Sequence, residues 1–141
     1  MFKIQGVNHV GLAPKDPEKA RWFLCEILGM PDQGEDHVVP QKTKTAMFGS
    51  GENAVETRME VLIPDGSDDA PIAKFLEKRG AGVHHVALTV DSIDAALEHL
   101  AKYEIEMIDK TPRAGAHNTR IAFVHPRATG GLLIELVEET A

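Results

Sequence analysis

The chain has 141 residues, 43% of them hydrophobic, which suits one core of ordinary size or two small modules and argues against wholesale disorder. A formal net charge of −7 disfavours nucleic-acid binding, which needs a basic surface, yet an anionic small ligand needs only a local cationic patch. The lone cysteine, Cys25, excludes an intramolecular disulfide, and no run approaches the roughly 18–20 apolar residues of a membrane span.

The N-terminus, MFKIQGVNHV, lacks a long apolar segment and a cleavage site, so a cytoplasmic protein without a signal peptide is expected. Residues 7–13 alternate in strand fashion. Asp16-Pro17-Glu18 then starts a helix: an acidic N-cap, proline in the first turn, and an acid facing the helix dipole. Ala20, Phe23, Leu24, Ile27 and Leu28 form its apolar stripe, and Gly29 is placed to close it. Strands are predicted near 42–48 and 57–63, with a weaker one near 34–39. Pro64-Asp65-Gly66-Ser67-Asp68-Asp69 is turn-rich and acidic, and a short helix follows with Ile72, Phe75 and Leu76 on one face. Beyond Gly80 and Gly82 the pattern starts again. Residues 83–90 alternate, Asp91 or Ser92 caps a helix carrying Ile93, Ala96, Leu97 and Leu100, and strands are predicted near 105–109, 119–124 and 132–138.

The second half repeats the first. GVNHVGLAPKDPEKA from Gly6 aligns with GVHHVALTVDSIDAA from Gly82, so His9 falls on His85, 76 positions on. Arg58-Met59-Glu60-Val61-Leu62 aligns with Leu133-Ile134-Glu135-Leu136-Val137, so Glu60 falls on Glu135. We therefore expect an α+β protein of two βαβββ modules, about 5–64 and about 82–139, joined by a connection over 65–81.

Strand side chains alternate between two faces. Val10 and Leu12 share a face that excludes His9, and Val86, Leu88 and Val90 share one that excludes His85. Met59, Val61 and Ile63 lie opposite Glu60; Leu132, Ile134 and Leu136 lie opposite Glu135. With helices on the apolar faces, the two histidines and two glutamates project from the other, and a curved sheet brings them to one point. A single strand histidine or glutamate is usually structural; matched copies with matched facing point to a metal site. Imidazole with carboxylate suits divalent Zn, Co, Ni, Mn or Fe. His84 faces the helix side by parity, and His37, His99 and His125 have no repeat partner, so structural or exposed roles are expected for them.

These residues resemble the vicinal oxygen chelate superfamily, whose paired βαβββ modules form a curved half-barrel sheet around a metal. Within it the chain is similar to the methylmalonyl-CoA epimerases almost end to end, through NHVGLAP near His9, QKTKTAMF at 41–48, MEVLIP at 59–64, DAPIAKFLEKRGAGVHHVAL at 69–88 and RAGAHNTRIAFVHPRATGGLLIELVE at 113–138. The resemblance implies metal ligation by His9, Glu60, His85 and Glu135, with glutamine at the Glu60 position in some members. It implies a divalent ion, Co2+ for preference, with Zn2+, Ni2+ or Mn2+ as alternatives, and a homodimer. The implied reaction interconverts (R)- and (S)-methylmalonyl-CoA by removing the C2 proton to give an enolate.

Inversion needs a base on each face of C2. Glu135 is the first candidate. Some epimerases carry a glutamate on the strand at 42–48, where this chain has Thr45, which is no base at ordinary pH; the symmetric Glu60 is then the candidate for the second face. The acyl-CoA thioester is anionic, and Lys42, Lys44, Arg58, Arg113, Arg120 and Arg127 are the cations near the motif strands. Arg113 and Arg120 flank the loop Gly115-Ala116-His117-Asn118, which makes them and His117 the candidate substrate contacts. Trp22 and Phe23 suit a core or dimer contact better than a stacking platform. Three competing readings share the fold: glyoxalase I (lactoylglutathione lyase), an iron-dependent dioxygenase, and a metal-free drug-sequestering protein. The stretch from FVHP to GGLLIEL favours the epimerase over the first, and the fourth ligand argues against the second.

Overall fold

A computed structural model describes residues 1–49, 57–116 and 118–139. The elements are β1 (Ile4–Ala13), α1 (Pro17–Trp22), β2 (Asp32–Val38), β3 (Thr43–Phe48), β4 (Arg58–Pro64), α2 (Pro71–Arg79), β5 (Gly82–Val90), α3 (Ile93–Lys102), β6 (Arg113–Ala114), β7 (Thr119–Val124) and β8 (Ile134–Glu139). They fall into two compact units, one of residues 9–84 and the other of residues 1–8 with 85–141.

In the unit of residues 9–84 the strand order is β2-β3-β4-β1, with β1 and β4 parallel and the other pairs antiparallel. Asp16 caps α1 as expected, its carboxylate accepting from the Lys19 N–H, with Pro17 at the first helical position. The helix then widens into a π-turn over Phe23–Ile27, where the Leu28 N–H donates to the Phe23 carbonyl. Gly29 closes it in the left-handed region, φ 73°, and donates to the Cys25 carbonyl. Leu24, Cys25 and Met30 pack on Ala46, Phe48, Val61 and Ile63, so this helix covers the face opposite Glu60. The second helix behaves differently. Ile72, Phe75 and Leu76 of α2 pack on Ala13 and Leu62, which share parity with His9 and Glu60, so α2 covers one end of the histidine–glutamate face.

In the other unit the order is β5-β8-β7-β6, the same arrangement, again with the first pair parallel. Ser92, rather than Asp91, caps α3 by accepting from the Ala95 N–H. Val90, Ile93, Ala96, Ala122 and Leu136 form the core beneath α3, with Phe2, Leu97 and Leu100 at its edge. Residues 1–8 are tied in by paired bonds between Lys3 and Asp91 and by Asn8, whose amide donates to Thr89 and Glu139.

Two expectations about strands need correction, and one strand is additional. Residues 105–109 form no strand, only a single bridge from Met107 to Val124. Glu104 turns with φ 55°, and the Ile108 and Asp109 N–H groups both converge on the Phe123 carbonyl. The strand expected at 132–138 starts only at Ile134, and Leu132 is exposed, because the Gly130-Gly131 turn is tied by Thr129, whose hydroxyl bonds both the Leu132 N–H and its carbonyl. The two-residue β6 was not foreseen; it exists because Gly115 lets the chain double back. A Cβ at Gly115 would lie 2.6 Å from Ile121 Cγ2 and 2.7 Å from Thr119 Oγ1.

Phe48 is the largest fully buried side chain among the described residues, and Phe48→Ala is expected to destabilise the protein by about 3–5 kcal/mol in a denaturant titration. Hydrogen bonds from Ser67 and the neighbouring His37 hold the Asp65 carboxyl down at about 2, from 3.8. This contribution to stability is full above pH about 3.8 and is lost as the pH falls toward 2. Carboxyl NMR titration of Ser67→Ala is expected to return Asp65 toward its ordinary value; a midpoint still near 2 counts against Ser67 as the main cause.

Candidate metal centre

Each unit builds one buried histidine–glutamate pair, and both use the same register. The parallel pairing sets Gly11 opposite Glu60, and Ala87 opposite Glu135. Each glutamate thus faces a small residue two places after its histidine, which leaves space for the imidazole to lean across. His9 Nε2 lies 3.5 Å from Glu60 Oε1, and His85 Nε2 lies 2.9 Å from Glu135 Oε1. All four side chains are nearly sealed from solvent: His9, His85 and Glu135 are 5% exposed and Glu60 4%. Imidazole nitrogens and carboxylate oxygens at this burial rarely stand without a cation or a charged partner, and this donor set fits a divalent transition metal.

The surroundings differ between units. On the antiparallel side, Met47 faces Glu60 and Phe123 faces Glu135. The Phe123 ring meets the His85 imidazole edge-on, centroids 5.5 Å apart and planes at 81°. Ala87, Ile121, Val137 and Leu133 complete an apolar floor beside that pair. The Arg113 guanidinium lies over the Phe123 ring at 5.7 Å, and Asp109 fixes it, Oδ1 at 3.1 Å from Nε. The other Asp109 oxygen accepts the Phe123 N–H at 2.9 Å. Phe123 and Asp109 therefore organise the ground between Arg113 and His85, and sequence reasoning did not single them out. The repeat held the signal for Phe123, which occupies the place of Met47.

Of the expected substrate contacts, Arg113 is on this face. Arg120 is on the other: it alternates with Ile121, reaches toward α3, and is clamped by Asp94 at 3.1 Å and Glu138 at 2.9 Å. His117 lies outside the described residues. Lys42 donates to the Asp68 carbonyl, and Arg127 pairs with Glu106. The remaining histidines take structural places. His84 meets the ring of Phe75 in α2 edge-on. His37 pairs with Asp65, His99 packs between Phe2 and Tyr103, and His125 accepts the Arg127 N–H. Trp22 and Phe23 are each about half exposed, so neither is a core residue.

Comparison with known proteins places the chain in a family. The sequence model of the glyoxalase/bleomycin resistance protein/dioxygenase superfamily matches residues 8–123. The mitochondrial methylmalonyl-CoA epimerase of Bos taurus is 40% identical over 137 residues, covering 96% of this chain and 75% of its own length. The crystal structure of methylmalonyl-CoA epimerase from Mycobacterium tuberculosis superposes with a TM-score of 0.88 at 34% identity, over 98% of this chain and 90% of that one. A methylmalonyl-CoA epimerase solved with methylmalonyl-CoA and NH4+ superposes with a TM-score of 0.90 at 26% identity, over 99% and 97%. The chain belongs to the glyoxalase/bleomycin resistance protein/dioxygenase superfamily, within its methylmalonyl-CoA epimerase family.

Proposed function

We propose that this chain is a metal-dependent isomerase that interconverts (R)- and (S)-methylmalonyl-CoA, with His9, Glu60, His85 and Glu135 holding one divalent cation, Co2+ for preference. The observation that carries the reading is the duplicated, buried histidine–glutamate pair in identical register. The family membership and the relatives' names support the substrate. A divalent cation held there supplies Lewis-acid polarisation of the thioester carbonyl.

The C2 proton is acidified by its two flanking carbonyl groups. Glu135, as the carboxylate, takes it from one face, and Glu60, starting as the carboxylic acid, delivers its proton to the opposite face, which inverts the centre; the reverse reaction starts from the exchanged protonation states. Both carboxylates are anchored beside an imidazole and carry a second oxygen for the transfer. The apolar floor of Ala87, Ile121, Phe123 and Val137 keeps water from the enolate. Arg113, braced by Asp109 on the Phe123 ring, offers charge to the anionic acyl-CoA, with His117 beside it in sequence. Arg120, occupied by two carboxylates, serves chiefly to fasten α3.

The working form in this reading is a homodimer. Trp22, Phe23, Ile27 and Leu28 are 48–57% exposed on one short stretch, an apolar surface suited to a second copy. No helix among the described residues is long and apolar enough to cross a membrane, and a lone cysteine suits a reducing compartment such as the cytoplasm.

Protein stripped with a chelator is expected to lose epimerisation of methylmalonyl-CoA and to regain it with Co2+; His85→Ala is expected to retain no metal by elemental analysis while its circular dichroism stays native. Full turnover in metal-free protein, or S-lactoylglutathione formation in place of epimerisation, would overturn the reading. Glu135→Gln is expected to lower kcat about 10²–10⁴-fold with a much smaller change in KM. Turnover near that of the parent would remove Glu135 as a base.

A further inference from the structure

Thr45 stands out in the unit of residues 9–84. It is 4% exposed, and among the described residues its hydroxyl has no hydrogen-bond partner. A buried hydroxyl without a partner is uncommon, and one in a native structure calls for an explanation. Its neighbour on the same strand face, Thr43, is equally buried but donates to the Gln41 carbonyl at 2.8 Å.

The facing of Thr45 follows from its neighbours. Ala46 and Phe48 pack under α1 with Val61, so Thr45 and Met47 project from the opposite face, that of His9 and Glu60. Across the β3–β4 ladder Met47 faces Glu60 and Thr45 faces Leu62. Thr45 is therefore the diagonal neighbour of Glu60, about 7–8 Å from it in such a ladder. The repeat supplies an internal control. The position equivalent to Thr45 is Ile121, which faces Val137 as Thr45 faces Leu62 and is buried in the apolar floor. The fold at this position is satisfied by a wholly apolar side chain of similar branching. The hydroxyl is extra to folding, and it sits on the face that holds the candidate metal ligands.

We propose that Thr45 Oγ1 donates a hydrogen bond to an oxygen of the substrate's acyl group and so positions it beside Glu60. The proposal rests on the epimerase reading and deepens it. The acyl group of methylmalonyl-CoA presents two kinds of acceptor, a carboxylate and a thioester carbonyl, and either satisfies the orphaned donor. A hydroxyl with no ionisable role is thereby a specificity-determining contact, and the proton transfers stay with the glutamates.

The test compares Thr45→Val, which keeps the β-branched shape, with Thr45→Ser, which keeps the hydroxyl. Calorimetric titration of the metal-loaded protein with methylmalonyl-CoA and with propionyl-CoA, which lacks the carboxylate, gives the readout. For Thr45→Val we expect binding of methylmalonyl-CoA to weaken about tenfold, the size of one hydrogen bond to a charged acceptor, with a melting temperature unchanged or raised. Thr45→Ser restores most of the affinity. Weakening with methylmalonyl-CoA alone assigns the bond to the carboxylate; weakening with both ligands assigns it to the thioester oxygen. Affinities within twofold of the parent for both ligands overturn the proposal. Epimerisation assayed on the same preparations separates the two readings. A parent protein that binds in this Thr45-dependent way without epimerising removes the enzyme reading alone. A parent that epimerises, with Thr45→Val unaltered in affinity, removes the hydrogen bond alone.

Discussion

The register of the two parallel strand pairs is the constraint on which the site depends. Setting Gly11 beside Glu60 and Ala87 beside Glu135 does two things together. It places a carboxylate and an imidazole on the same face, and it removes the bulk that would hold them apart. A slip of one residue in either ladder would turn its glutamate into the helix-facing core and break the pair. The helices enforce the register. Val61 and Leu136, each next in sequence to its glutamate, are locked under α1 and α3 respectively, so the glutamates have only the other face to take.

The two units share one plan but give their pairs different company. Beside His85 and Glu135 the floor is aromatic and aliphatic, with Phe123 steering the imidazole and carrying Arg113. Beside His9 and Glu60 the matching positions are Met47 and Thr45, a flexible thioether and a hydroxyl. The repeat supplies equivalent donors in unequal surroundings. The α2 helix adds its own cover to one end of the histidine–glutamate face in the unit of residues 9–84.

Much of this was legible in the chain. The repeat exposed the four donors, strand parity assigned their facing, and Asp16-Pro17 marked a helix start that the structure retains. What was not legible depended on partners distant in sequence. Arg120 looked like a substrate contact because it flanks a glycine-rich loop, whereas its two carboxylate partners come from α3 and β8. Parity did contain the warning, for Arg120 lies between Thr119 and Ile121 and must face away from them. The stretch 105–109 alternates like a strand, yet the Phe123 carbonyl takes two of its N–H groups and the ladder does not propagate. The unpartnered hydroxyl of Thr45 is invisible to any pattern, because it is defined by what fails to lie near it among the described residues.

The opening residues serve the second repeat rather than the first. Phe2, Lys3 and Asn8 precede the first histidine, yet they are fastened to α3, Asp91, Thr89 and Glu139, all in the second repeat. The second repeat cut out at Gly82 would lack that strap and leave the edge of its α3 core bare. The two repeats read as copies, but the second is finished by the chain's first eight residues.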